Sequence, residues 1–243
     1  MSSTVDRATK ILELIAESPQ TTQQVAEHFG MHTSTIFRQM QTLERAGFLL
    51  RHSDGTFHIG PRIISIAQQA LDNLDVRRIA HEPLRALHAK VGNTIHLAQL
   101  VENQVIYIDK IDDSSGIRMY SRVGLPVRLN CTGVGKVILA QLSPAIRDVL
   151  LRDADWTAHT STTLTRDGLD HELERIVERG WGVDDGEFEE FVNCVAAPIT
   201  NSTGTVVAAL SITALRVIND LDDLQQHVDD LISTTRTISR ALG

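Results

Sequence analysis

The feature that most constrains this chain is the order of punctuation in its first sixty residues. Three short runs of helical periodicity come first, two of them stopped by glycine, and an Asp-Gly turn follows. Val5, Ala8, Ile11, Leu12 and Ile15 fall at helical intervals, and Ser18-Pro19 ends that run because proline disfavours helix in the residue before it. Thr21-Thr22 offer N-caps for a short helix over residues 23–29, which Gly30 can stop in a left-handed conformation. Thr33 or Ser34 is expected to cap a third helix, with Ile36, Met40 and Leu43 at i, i+4 and i+7, ending at Gly47. Residues 48–51 and 56–59 flank Ser53-Asp54-Gly55, a strong hairpin signal, and Pro61 opens a fourth helix running to about residue 75. Helix, short helix, turn, longer helix, hairpin is the order of a winged helix-turn-helix.

Such a unit either reads DNA or only holds subunits together, and the third helix separates the two. At ~100° per residue, Ser34, Arg38, Gln41 and Arg45 lie opposite the apolar stripe, with Phe37 and Thr42 at its flanks. That face has no carboxylate, although the chain carries 31 Asp and Glu against 23 Lys and Arg. Hydroxyl, guanidinium and amide groups are what phosphates and base edges require. Thr33, Ser34, Thr35, Phe37, Arg38, Gln41 and Thr42 are therefore the candidate contacts to double-stranded DNA. The net charge of −8 lies mainly beyond residue 75, so it weakens this reading without excluding it.

The remainder alternates between helix and strand periodicity. Helices are expected over residues 79–91, 133–142, 144–151, 167–179 and 220–242, and strands over 94–100, 105–111, 117–123, 181–184, 194–199 and 206–213. Residues 156–165 are polar and read as loop. The expected class is α+β, with an antiparallel sheet flanked by helices in the manner of GAF or PAS sensor domains. The expected division is a DNA-binding domain over 1–60, a linker helix over 61–78 and an effector-binding domain over 79–243.

Several chemistries are disfavoured. TGVGK lacks the first glycine and the final Ser/Thr of a phosphate loop, since Asn130 and Val137 stand there. The ten histidines form no HExxH or Cys/His cluster, so neither a metal nor a cofactor is expected. His96, on an apolar strand, reads as a satisfied, partly buried histidine. The acidic run from 184 to 190 reads, by itself, as a solvated loop. Cys131 and Cys194 have no activating group in the sequence nearby, which leaves an enzyme as the weakest reading. Two cysteines, no apolar run approaching ~18 residues and a start without a secretion signal imply a cytoplasmic protein.

The segments VDRATKILELIAES, TSTIFRQMQTLERAGFL, FHIGPR, RMYSRVG, TGVGK, GWGVDDGEFEEFVNCVAAPI and VVAALSIT together resemble the IclR family of bacterial transcription regulators. The resemblance runs in order from Val5 to Gly243. It implies homodimers, often paired into homotetramers, on pseudo-palindromic operators, with a small organic acid as effector. It places the effector against Val127, Leu129, Gly133, Val134, Asp184, Cys194, Ser211 and Thr213. The chain departs from the family pattern at Phe37 and Asn130, where histidine is common, and at Thr213, where serine is.

Physical chemistry supports part of that set independently. Gly133-Val134-Gly135 begins a helix, whose free amides and dipole attract a carboxylate. Ser211 and Thr213, two apart on a strand, share one face. The expectation is a regulator, acting as a repressor, under a carboxylate-bearing metabolite. The alternative is a ligand-binding or scaffold dimer without specific operator recognition.

Overall fold

Helical periodicity places α1 (Thr4–Glu17), α2 (Thr22–Phe29) and α3 (Thr33–Arg45) in the first part of the chain. Thr21 caps α2 through a reciprocal box, its hydroxyl facing the Gln24 amide while the Gln24 side chain bonds the Thr21 amide at 2.8 Å. Gly30 closes α2 at φ 60°, the left-handed position anticipated for it. The cap of α3 differs from expectation. His32 is the N-cap, with its carbonyl accepting from Thr35 and Ile36, so Thr33 and Ser34 lie in the first turn. The hairpin of β2 (Leu49–Arg51) and β3 (Thr56–Ile59) is joined by β1 (Gln20–Thr21), a two-residue strand too short to read from sequence. Ile11, Ile15, Val25, Ile36, Met40 and Phe57 close the core beneath these elements, each such burial contributing ~1.5–3 kcal/mol.

A computed structural model describes residues 4–72, 75–113, 119–152 and 154–243, and the chain divides into two units, 1–73 and 74–243. The fourth helix, α4, spans Pro61–Asp72, and α5 spans Asp75–Val91. Residues 61–78 therefore take in all of α4 and the first turn of α5. Helix α5 starts four residues before the expected 79 because Asp75 favours an N-terminal turn and Val76 joins the buried stripe of Ala80, Leu84 and Leu87.

The second unit is a five-stranded antiparallel sheet in the order β5-β4-β8-β7-β6, from β4 (Thr94–Val101), β5 (Gln104–Ile111), β6 (Gly182–Asp185), β7 (Val192–Thr200) and β8 (Val206–Leu215). The helices are α6 (Gly133–Ala140), α7 (Pro144–Leu150), α8 (Arg166–Arg179), α9 (Leu221–Gln225) and α10 (Val228–Ala241). The expected terminal helix is thus two, broken where His227 leaves helical geometry at φ −96°, ψ 4°. Of the strand expected over 117–123, residues 117 and 118 lie outside the described residues, and 119–123 have no strand pairing. Residues 124–127 meet β5 instead, through Gly124 N–H to Tyr107 O, Tyr107 N–H to Leu125 O and Val127 N–H to Val105 O.

Alternation sorts the sheet's two faces. Ile95, Leu97, Val195, Ala197, Leu210 and Ile212 pack with α5 and α10. Ala98, Ala196 and Ala209 face α6 and α8. His96, Cys194, Ser211 and Thr213 share the parity of that second face. No helix among the described residues is long and apolar enough to cross a membrane.

Candidate functional site

On α3, Thr33, Ser34, Arg38, Gln41 and Thr42 are exposed, and Thr35 and Phe37 are half-buried. Ile36 and Met40 are fully buried, which fixes the helix by its opposite side. The Thr42 hydroxyl donates to the Arg38 carbonyl at 2.9 Å. Among the described residues, no carboxylate pairs with Arg38. The hairpin adds residues that sequence reasoning passed over. Arg51 and His52 are exposed, and His52 stacks on His58 with ring centroids 3.9 Å apart. The available signal was a basic and aromatic hairpin placed directly after α3.

The second site is a cavity of about 40 Å³ between the α6 N-terminus and the sheet. Cross-strand register assembles its floor. Asp184, Cys194 and Thr213 stand side by side on β6, β7 and β8, and Ala196, Ser211 and His96 form the next row on β7, β8 and β4. His96 Nε2 lies 2.6 Å from Ser121 Oγ, its Nδ1 lies 3.1 Å from Thr213 Oγ1, and Ser211 Oγ is 3.2 Å from Thr213 Oγ1. Burial, with Lys110 adding to it, pushes the imidazole down to about 3, so it is neutral at ordinary pH. The cavity joins Gly133, Val134, Asp184, Cys194, Ser211 and Thr213 as expected.

Val127 and Leu129 fall outside the cavity. Val127 is buried in the core against α6, and Leu129 packs on that same core. Between them, Arg128 lines the cavity. Sequence reasoning also missed Ser121, Tyr107 and His96 as lining residues. His96 was legible as a strand residue but not as a polar hub, because its partners lie 25 and 117 residues away.

The helix-end cradle is partly occupied by the chain itself. Gly135 N–H donates to Thr132 Oγ1 at 3.2 Å, and the Gly133 amide bonds the Cys194 sulfur. The Gly133 position serves packing: a Cβ there would meet Cys194 Sγ at 2.6 Å and Ala196 Cβ at 3.2 Å. Asp184 is buried and accepts from the Glu187 amide at 2.8 Å. Burial, then the Glu187 carboxylate, pushes Asp184 up to about 7, against the pull of Lys136. Lys136 itself is fully buried in an ion pair with Glu187. The run from 184 to 190 is thus partly interior, because Asp184 and Glu187 have partners there. Burial and Asp184 push the Cys131 thiol up to about 12 and raise Cys194 as well, so neither is a thiolate at neutral pH.

The family model described as the IclR helix-turn-helix domain matches residues 4–53, and the model for the bacterial transcriptional regulator IclR C-terminal region matches residues 68–240. The chain is 31% identical over 222 residues to the transcriptional regulator KdgR of Escherichia coli K12, covering 90% of this chain and 84% of that one. It is 28% identical over 243 residues to the transcriptional repressor AllR of the same strain, covering 98% and 90%. The crystal structure of Thermotoga maritima IclR superposes with a TM-score of 0.83 at 32% identity, covering 99% of this chain and 98% of that one. An IclR homolog of Microbacterium hydrocarbonoxydans, solved with 4-hydroxybenzoate, shares the fold at TM-score 0.85, 22% identity and 99% coverage of both chains. These are regulators rather than enzymes, and this chain, with a helix-turn-helix ahead of an IclR effector-binding domain, belongs to the IclR family of bacterial transcriptional regulators.

Proposed function

We propose that the protein is a repressor whose grip on a pseudo-palindromic operator is set by a small carboxylate-bearing metabolite in the sheet-domain cavity. One observation carries the effector half. A buried cavity lined by Ser121, His96, Ser211, Thr213 and Arg128 holds far more hydrogen-bonding capacity than a packed core needs. The AllR relative supports repression, and the 4-hydroxybenzoate complex supports an acid as ligand. Neutral His96 and three hydroxyls suit the hydroxyl or keto groups of such an acid. At neutral pH, Asp184 can hold a proton and donate it toward an oxygen of the ligand.

The DNA half rests on the α3 face of Ser34, Arg38 and Gln41, with Thr33 and Ser34 at its N-terminus on the DNA backbone, Thr35 beside them, and Phe37 and Thr42 at its edges. We assign DNA binding to residues 1–60, the linker to 61–78 and effector binding to 79–243. Two half-sites require a dimer, and α4 offers the surface: Ile64 is 70% and Ile66 41% exposed on it. A regulator of this kind works beside the chromosome, in the cytoplasm. Sequencing genomic fragments captured by the protein, then titrating them with organic acids in a gel shift, tests the whole reading. Release of a palindromic fragment by one class of acid supports it. Capture without sequence preference would favour a scaffold and overturn it.

A further inference from the structure

Among the described residues the cavity is lined by one cation, and the anion cradle at the head of α6 is half-filled by the chain's own bonds. Arg128 is that cation. Its Nη1 lies 2.8 Å from Asp155 Oδ2, and its guanidinium sits 4.9 Å from the centre of the Phe188 ring and 6.0 Å from that of Tyr120. Arg128 and Tyr120 also line an outer groove, of about 540 Å³, with Pro126, Asn130, Arg152 and Asp155. The two residues are therefore the wall between groove and cavity. A space of about 40 Å³ holds only a few waters, so an organic acid enters only if part of that wall moves.

We propose that Arg128 takes the effector's carboxylate by exchanging it for Asp155, which makes Arg128 the specificity-determining residue for acids in this cavity. The inference rests on the effector reading given above. The Arg128–Asp155 pair is half-exposed, 30% and 42% for the two side chains, and such pairs are weakly held. Asp155 does not depend on Arg128: its Oδ1 accepts from the Thr157 amide at 2.9 Å, and His159 Nε2 lies 3.5 Å from its Oδ2. The Asp155 backbone is held separately, by Asn130 Nδ2 on its carbonyl at 3.0 Å. Arg128 can thus turn inward while keeping its stacking on Phe188. Its carbonyl accepts from Thr132 Oγ1, the α6 cap, at 2.6 Å, so the backbone bearing the guanidinium is tied to the cavity's helix. A guanidinium also binds carboxylate in a planar, two-bonded geometry that a single helix amide does not supply.

The test is calorimetry on the full chain with 4-hydroxybenzoate, gluconate and pyruvate, and with 4-hydroxybenzamide as an uncharged counterpart. Each acid that binds the wild type should weaken by about tenfold or more in Arg128→Gln, the size of one charge-assisted hydrogen bond. Arg128→Lys, which keeps charge without the fork, should fall between. Asp155→Asn, which removes the internal competitor, should tighten the same acids by about threefold, while amide binding changes little in all three variants. Acids that bind all of these variants equally but are lost in Ser211→Ala would overturn the role of Arg128 and leave the cavity reading intact. An amide that binds the wild type as well as its acid would overturn charge recognition. No binding of any probe to the wild type would overturn both readings.

Discussion

The two sites proposed for this protein solve opposite physical problems. The α3 face presents Ser34, Arg38 and Gln41 to water, where polar groups need no partner and the fold does not depend on them. The sheet cavity holds His96, Asp184, Ser211 and Thr213 at 6% exposure or less, where each polar atom left unpaired is costly. The first site therefore answers to its ligand alone, and the second answers to its ligand and to the fold together. Substitutions should separate binding from stability in the first unit and couple them in the second.

The largest expected effect breaks the second site's support. Lys136→Ala strands the buried Glu187 carboxylate, and removing one member of such a pair costs ~3–5 kcal/mol. Urea unfolding followed on the sheet unit should show that loss, and an unchanged midpoint would mean the pair is not sealed from water.

Next comes the exposed site. Arg38→Ala should weaken specific operator binding by about ten- to a hundredfold, from a base contact of ~1–3 kcal/mol, with the melting temperature unchanged. A variant that lost both binding and stability would blur the contrast between the two sites.

Ser211→Ala is the intermediate case. Removing a hydroxyl bonded to Thr213 should cost ~1 kcal/mol of stability and weaken the effector as well. Differential scanning calorimetry with and without ligand reads both effects at once.

The smallest effect sharpens the comparison through pH. Asp184 is raised to about 7, so its contribution to stability is complete below its ordinary value of 3.8 and is lost as pH rises through 7. His96 is depressed to about 3, so its contribution is present above 6.5 and is lost as pH falls toward 3. The two slopes oppose one another between about 4 and 6.5. Asp184→Asn should therefore leave a stability that climbs with pH across that window more steeply than in the wild type. Parallel curves for the two proteins would place Asp184 in solvent.

The contrast also explains what was legible in the sequence. The α3 face could be read because helical period is local: knowing that Ile36 and Met40 are inside puts Arg38 outside. The hairpin was legible because Asp54-Gly55 is a turn by itself, with Gly55 at φ 85°. The cavity draws on β4, β5, β6, β7, β8, α6 and two loops, and its cross-strand rows are invisible before the register is known. Gly133, Asp184, Cys194, Ser211 and Thr213 came chiefly through family resemblance. Arg128 was missed although alternation marked it, since apolar Val127 and Leu129 on either side turn toward the core. The cap at His32 and the break at His227 escaped because neither has side-chain capping chemistry to announce it.

The central claim is that cavity and operator are coupled, and the most direct test measures that coupling from both ends. Operator affinity is measured by fluorescence anisotropy with and without the acid, and acid affinity by calorimetry with and without the operator. Coupling of the usual size would lower operator affinity by about 5–150-fold, and the operator must then lower acid affinity by the same factor. In Ser211→Ala at equal acid concentration, that factor should shrink toward one. An acid that binds the cavity while leaving operator affinity unchanged in the wild type would contradict the account.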